Sequence, residues 1–362
     1  MLGLYIHVPF CAKKCPYCDF YSVPWRIPLE DAYLTALKRD FAQYRQRDLT
    51  ADTVYFGGGT PSLIRPQTIA AILTALRENF TITPDAEITL ECNPCTVTPS
   101  RAAQWAAAGI NRVSLGMQAA SEPELKLLGR RHSPDMVKDA VDMLRDAGIH
   151  NISLDIMMAL PHQTSKQLRH TIDFAASMQV QHISAYLLQI EPGTPFAESE
   201  EIRFCPDEDT TAQMYRDAVQ RLASHGYQQY EISNFARPGF ESRHNNKYWL
   251  SEPYLGFGPA AHSFFDGRRF CYPGDLMRYI QSGAVEYEDA VPDAFEYAML
   301  RLRLVKGLNF ADYASRGGDV ARLKANCRRY QRTGLIECSE DRVHLTPEGF
   351  LVSNVLIAEL LF

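Results

Sequence analysis

From Leu4 to Ile190, short apolar runs alternate with longer stretches in which apolar residues recur every three or four positions. Runs near 3–8, 52–57, 86–92, 112–118, 151–158 and 182–190 have the length of strands, and the stretches between them have helical spacing. Val137, Ala140, Val141, Leu144 and Ala147 give one such helix a buried face. Thr98-Pro99 and Ser133-Pro134 place a hydroxyl cap before a proline at the first helical position, and Gly109 and Gly148 stand just past helix ends. Six strands, each followed by a helix, predict a parallel sheet with right-handed crossovers. Eight such units close a barrel, so six predict an α/β fold of open partial (β/α)6 barrel type, with ligands gathered at the carboxyl ends of its strands.

After Ile190 a helix near 207–225 leads into Tyr230 to Phe235, Arg243 to Trp249 and Leu255 to Phe264, where His, Asn and aromatic residues sit among Gly and Pro. Loops of that composition bind flat or polar ligands. Past Asp289 the pattern changes. Helices near 292–304, 310–314 and 318–333, a hairpin of Gly334–Glu337 with Arg342–Leu345, and a final helix capped by Thr346-Pro347 resemble a winged helix. The expected division is therefore 1–285 for the partial barrel with its His/aromatic segment, and 286–362 for a small α+β domain.

Arg322, Lys324, Arg328, Arg329 and Arg332 give the third of these helices a basic face, which admits a nucleic-acid binder as one function class. A net charge of −6 favours a solvated face instead, and no nucleic-acid partner is expected. Hydrophobic residues at 46% and charged residues at 22% describe a globular chain with a large core. Nine cysteines, odd in number and unevenly spread, form no disulfide framework and point to a reducing compartment. With no signal-peptide pattern and no apolar run long enough to span a bilayer, the expected location is the cytoplasm.

The chemistry is concentrated at Cys11, Cys15 and Cys18, spaced C-x3-C-x2-C directly after the first strand. A closed zinc site needs four ligands, and an ordinary four-iron cubane takes four thiolates. Three thiolates leave one iron open. The amino and carboxylate groups of S-adenosylmethionine can chelate such an iron, and an electron passed into the sulfonium breaks a carbon–sulfur bond to give a 5′-deoxyadenosyl radical. A zinc knuckle lacking a ligand and three chance thiols are the alternatives.

Gly57-Gly58-Gly59-Thr60-Pro61 follows the second strand and leaves backbone groups bare for a ligand. It lacks the Gly-Lys-Ser/Thr ending of a phosphate loop. Glu91 ends strand three, where it can bind a ribose hydroxyl or an ammonium group. Gln118 ends strand four, and Asp155 lies within apolar strand five, a position that is costly unless paired or liganded. An Asp155–Arg130 ion pair is the structural alternative. Cys92 and Cys95 flank an Asn-Pro turn, and His132 reads as structural.

Taken together, Tyr5-x-His7-x-Pro9-Phe10-Cys11-x3-Cys15-x-Tyr17-Cys18, Gly57 to Pro61, Glu91, Gln118, Arg130, Asp155, Gly256 to Ser263 and the C-terminal pattern resemble the HemN-like branch of radical S-adenosylmethionine proteins. That branch includes oxygen-independent coproporphyrinogen III dehydrogenase, an enzyme of porphyrin biosynthesis, which has a fourth cysteine two positions after the third and a long N-terminal extension. Here Phe20 stands at the fourth position and ten residues precede Cys11. His244-Asn245-x-x-Tyr248-Trp249 instead resembles the H-N-x-x-Y-W motif of the branch's haem chaperones.

The resemblance implies a [4Fe-4S] cluster on Cys11, Cys15 and Cys18, and S-adenosylmethionine contacts at Tyr5, Tyr17, Gly58, Gly59, Thr60, Glu91, Gln118, Arg130 and Asp155. In the dehydrogenase, the positions matching Tyr17, Gln118, Arg130 and Asp155 border a second S-adenosylmethionine. It further implies haem as a ligand, apo-haemoproteins such as respiratory oxidases as recipients, an electron donor for the cluster, and transient membrane contact through a client. For haem, His244 is the candidate axial ligand, with Cys92 or another thiol as the alternative and a loop-anchoring hydrogen bond as the structural role of that histidine; Tyr248 and Trp249 are stacking candidates.

Overall fold

The computed structural model describes residues 1–288 and 292–362. Six parallel strands stand side by side in chain order: β1 (Leu2–Val8), β2 (Thr50–Gly58), β3 (Thr81–Cys92), β4 (Arg112–Gln118), β5 (Asn151–Met158) and β6 (His182–Leu187). The crossovers carry α1 (Ile27–Ala42), α2 (Pro66–Asn79), α3 (Pro99–Ala108), α4 (Glu122–Leu127), α5 (Pro134–Asp146) and α6 (Ser165–Ser177). The expected caps are present: Thr98 accepts from the Arg101 N–H, Ser133 from the Met136 N–H, and Gly109 adopts φ +109°.

The sheet does not close on itself. After α7 (Glu208–Ser224), β7 (Asn234–Ala236) pairs antiparallel with β6. The chain then forms α8 (Arg243–Trp249) and returns as β8 (Tyr254–Phe257), parallel to β1 on its free side. β9 (His262–Phe265) and β10 (Arg268–Cys271) extend that edge antiparallel, and α9 (Leu276–Ser282) packs on α1. The segment read from sequence as binding loops thus consists of short strands and the helix α8 with their connections. Gly256 and Gly258 sit where strands crowd, since a Cβ on the first would overlap the His262 carbonyl and one on the second would lie 2.5 Å from the His7 carbonyl. Gly/Pro composition alone does not separate such a crowded strand from a loop.

Parallel sheets are normally covered on both faces and read as continuous apolar runs. Here the two faces differ. Leu4, Ile6, Phe56, Leu90, Leu115 and Leu154 point outward into the layer beneath the helices and are fully buried. The alternate positions bring Tyr5 beside Tyr55, Glu91 beside Ser114 and Asp155 beside Ser184, all on the inner face. The inner face of the partial barrel is therefore a polar lumen, and the apolar core lies between sheet and helices.

The C-terminal part has winged-helix order: α10 (Ala294–Arg301), β11 (Leu308–Asn309), α11 (Phe310–Ser315), α12 (Val320–Tyr330), β12 (Ile336–Cys338) and β13 (Arg342–Leu345), then α13 (Pro347–Leu351) and α14 (Ser353–Leu361). Arg216 of α7 donates two bonds to Glu348, at 2.7 and 2.8 Å, and ties this part to the barrel. No helix among the described residues is long and apolar enough to cross a membrane.

The two faces predict opposite responses at neighbouring positions. Leu154→Ala should lower unfolding free energy by about 2–5 kcal/mol in urea denaturation. Asp155→Asn, one residue on but facing the lumen, should change it by under about 1 kcal/mol; a comparable loss at both would contradict the assignment of faces.

Candidate cofactor site

The three cysteines occupy a loop anchored at both ends at the carboxyl edge of the sheet. Phe10–Cys11 pairs with Val23–Pro24, and the Trp25 N–H donates to the Cys11 carbonyl at 3.1 Å. Inside the loop the Cys18 N–H donates to the Cys15 carbonyl at 3.2 Å, and all three thiols are partly exposed. The glycine motif lies directly beneath. The Gly59 and Thr60 N–H groups donate to the Val8 and Phe10 carbonyls at 2.9 and 2.8 Å, and Thr60 Oγ1 lies 3.4 Å from Cys11 Sγ. A Cβ on Gly59 would sit 2.8 Å from the Phe10 carbonyl and 3.1 Å from Cys11 Sγ, so only glycine fits there. Gly58 has φ +110°, with the His7 ring under it.

Below the loop, Glu91 accepts from the Tyr55 hydroxyl at 2.8 Å and from the Gly58 N–H at 3.2 Å. Ser114 Oγ lies within hydrogen-bond distance of both Asp155 oxygens, at 3.0 and 3.1 Å. Arg130 does not pair with Asp155, so the ion-pair alternative is not formed. Its Nη2 donates to the Gly116 carbonyl at 2.6 Å, its Nη1 lies 3.7 Å from Cys15 Sγ, and its Nε has no partner. Gly116 leaves room for this: the Arg130 and Gln118 side chains converge where a Cβ would stand. Gln118 itself has φ +67° at a bulge against β5, backbone strain of the kind found at ligand sites. Tyr17 packs on Leu125, Leu128 and Met157 at the rim.

Desolvation sets the charges in the lumen. It pushes the Glu91 carboxyl up to about 7, with Asp155 adding to the rise and the Tyr55 hydroxyl opposing it. Burial likewise raises Asp155 against the pull of its hydroxyl partners and of Arg112 and Arg130. Two buried carboxyl groups, both shifted upward by desolvation, suit a ligand that brings cationic or hydroxyl donors.

The haem candidates lie at the opposite end. α8 plugs the amino-terminal mouth of the lumen, with its Arg243 and His244 N–H groups donating to Glu87 at 3.1 and 2.9 Å. His244 has no exposed surface. Its Nδ1 is 2.8 Å from Thr53 Oγ1 and its Nε2 2.8 Å from the Tyr248 hydroxyl, so neither ring nitrogen is free for iron. Burial, reinforced by Lys247 and Arg112, pushes its pKa down to about 3. In this structure the His244 ring braces the floor, and the Tyr248 hydroxyl is bonded to it. Trp249 remains half-buried at the end of α8.

His132 is structural as expected, bonded through Nε2 to the Met117 carbonyl at 2.9 Å. Several site residues were given no role from sequence: Tyr55, Ser114, Arg112, a buried cation of the lumen, and His7, which was read only as part of the cysteine pattern and lies beneath Gly58. Period-two alternation along β4 groups Arg112 with Ser114, whereas Tyr55 and His7 are set on the same face only by the register between strands.

These features fit the group implied by three thiols. No three His, Cys, Asp or Glu side chains among the described residues converge as on a single metal ion, and thiols that ligate separate irons of a cubane need no such convergence. An unpaired guanidinium nitrogen and a cradle that excludes any Cβ stand beside them.

Two outcomes test this geometry. Tyr55→Phe removes a donor that favours the carboxylate, so the Glu91 midpoint should rise above about 7 in a carbon-13 NMR titration; an unchanged midpoint would show that the bond does not form. His244→Ala leaves Thr53 and Tyr248 without a partner and opens a cavity, and should cost about 3 kcal/mol in chemical denaturation.

Comparison with known proteins agrees with this geometry. Residues 5–175 match the model of the Radical SAM superfamily and residues 293–352 that of the HemN C-terminal domain. Proteins named heme chaperone HemW are similar over nearly the whole chain. The one from Escherichia coli is 35% identical, covering 98% of this chain and 97% of its own, and that from Bacillus subtilis is 34% identical, covering 100% and 99%. Among solved structures, coproporphyrinogen III oxidase HemN from Escherichia coli superposes with a TM-score of 0.85 at 21% identity, over 99% of this chain and 90% of that one, which shows a shared fold. The chain belongs to the HemW family of radical SAM proteins.

Proposed function

We propose that this chain is a haem chaperone that binds haem and delivers it to apo-haemoproteins such as respiratory oxidases, with a [4Fe-4S] cluster and S-adenosylmethionine in the partial barrel supporting the transfer. The observation that carries the cofactor half of this reading is Arg130. One guanidinium donates to the Gly116 carbonyl inside the lumen and reaches Cys15 Sγ at its mouth, so the nucleotide side and the thiol side form one site. The haem half is supported by the names of full-length relatives.

In this reading Cys11, Cys15 and Cys18 hold the cluster, whose chemistry when loaded is one-electron reduction of the sulfonium. The chain's own residues do the rest. Gly58, Gly59 and Thr60 offer backbone and hydroxyl groups to the amino-acid end of the ligand. Glu91 and Asp155 accept from ammonium and ribose hydroxyls, Gln118 and Arg130 set the nucleotide's orientation, and Tyr5 and Tyr17 close the sides against water. The division at 285/286, a cytoplasmic location and membrane contact only through a client belong to the same reading. The haem iron takes a ligand other than His244, since both of that ring's nitrogens are committed to the floor.

Three measurements test it. Anaerobic reconstitution should give about four irons per chain, and Cys→Ala at any of the three positions should abolish uptake; zinc in their place would overturn the cofactor half. Titrated haem should give a Soret band of unchanged position and affinity in His244→Gln, while that variant unfolds at lower temperature. Incubation with coproporphyrinogen III should leave the substrate intact, whereas decarboxylated porphyrin would favour the dehydrogenase and no haem uptake would defeat the chaperone.

A further inference from the structure

The cluster loop displays more than ligands. Between Cys11 and Cys15 stand Ala12, Lys13 and Lys14, all exposed, and after Cys18 come exposed Asp19 and Phe20. Phe20 is 62% exposed, a large apolar ring with most of its surface in water. The end of α4 abuts this loop, since a Cβ on Gly129 would lie 2.8 Å from Pro16 Cδ. Lys126 stands in the last turn of α4 and Arg131 two residues past Gly129, and both are exposed. None of these four cations has an ion-pair partner among the described residues, in a chain whose net charge is −6. Asp19 is the one carboxylate on the loop itself.

An exposed aromatic ring on a loop that carries unpaired cations, next to a helix end that carries two more, has the composition of a small transient interface, apolar and cationic together. Its place limits the partner. Lys13 and Lys14 lie within two residues of thiols that the proposed function assigns to the cluster, so a molecule seated on them lies against the loop that holds it. We propose that Lys13, Lys14, Lys126, Arg131 and Phe20 form the docking surface for an acidic single-electron-donor protein, one carrying a flavin or an iron–sulfur centre. This inference rests on the cluster assignment. One electron passes from the reduced partner to the oxidised cluster, leaving the partner oxidised by one electron and the cluster reduced by one, with no bond made or broken. Opposite charge speeds encounter, and Phe20 is the contact that salt does not screen.

The test uses a flavodoxin-type flavoprotein of strongly acidic charge. Its binding to the metal-free chain is read by fluorescence anisotropy, and its reduction of the reconstituted chain by stopped flow. A Lys13→Glu/Lys14→Glu variant should bind and be reduced about tenfold more weakly and slowly at low salt, with the difference fading above about 0.5 M salt. Phe20→Ser should weaken binding at every salt concentration. Photoreduction by deazariboflavin, a small uncharged donor, should proceed at the same rate in all variants. Equal binding and equal reduction by the flavoprotein across variants would overturn the docking surface, and so would variant-sensitive binding to anionic phospholipid vesicles with the flavoprotein unaffected. Normal docking on a chain that takes up no four-iron cluster would instead fail the cluster assignment and leave the surface standing.

Discussion

A polar inner face on a parallel sheet is the constraint on which the rest of the structure depends. Each group on it loses water on folding and must find a partner in the lumen or in a ligand. At the amino-terminal end the chain supplies the partners itself. α8 inserts two N–H groups onto Glu87 and a histidine between Thr53 and Tyr248, and Lys247 pairs with Asp52 at 2.9 Å. At the carboxyl end it supplies them only in part. Glu91 and Asp155 are held by hydroxyl and N–H donors without a direct cation, and Arg130 keeps one nitrogen unbonded. One end of the same lumen is therefore closed by α8 while the other is open, and the cysteine loop lies over the open end.

Much of this was legible in the sequence. Strand and helix alternation located the six parallel strands, because hydroxyl-proline caps and apolar runs are local signals that packing left unchanged. The three cysteines, the glycine motif, Glu91, Gln118 and Arg130 lie at the carboxyl edge where the strand-end rule places ligands, with Asp155 deeper along β5.

The rest depended on contacts far apart in the chain. β8 is a strand because β1 offers it a free edge 250 residues earlier, which no local composition reports. Tyr55 holds Glu91 across a neighbouring strand, visible only once register is known. His244 looked like a ligand because an aromatic-rich motif with histidine has ligand chemistry. Its role was decided by Thr53, almost two hundred positions away. The same residue types serve a floor or a site according to which groups the fold brings to them.

The central claim is that the open end of the lumen and the three thiols share one ligand. It is tested most directly by electron–nuclear double resonance on the reduced, reconstituted chain with S-adenosylmethionine labelled with nitrogen-15 at its amino group. The account predicts a hyperfine coupling from that nitrogen to the cluster, lost in Cys15→Ala. A reduced four-iron cluster whose spectrum is unchanged by the nucleotide would contradict it.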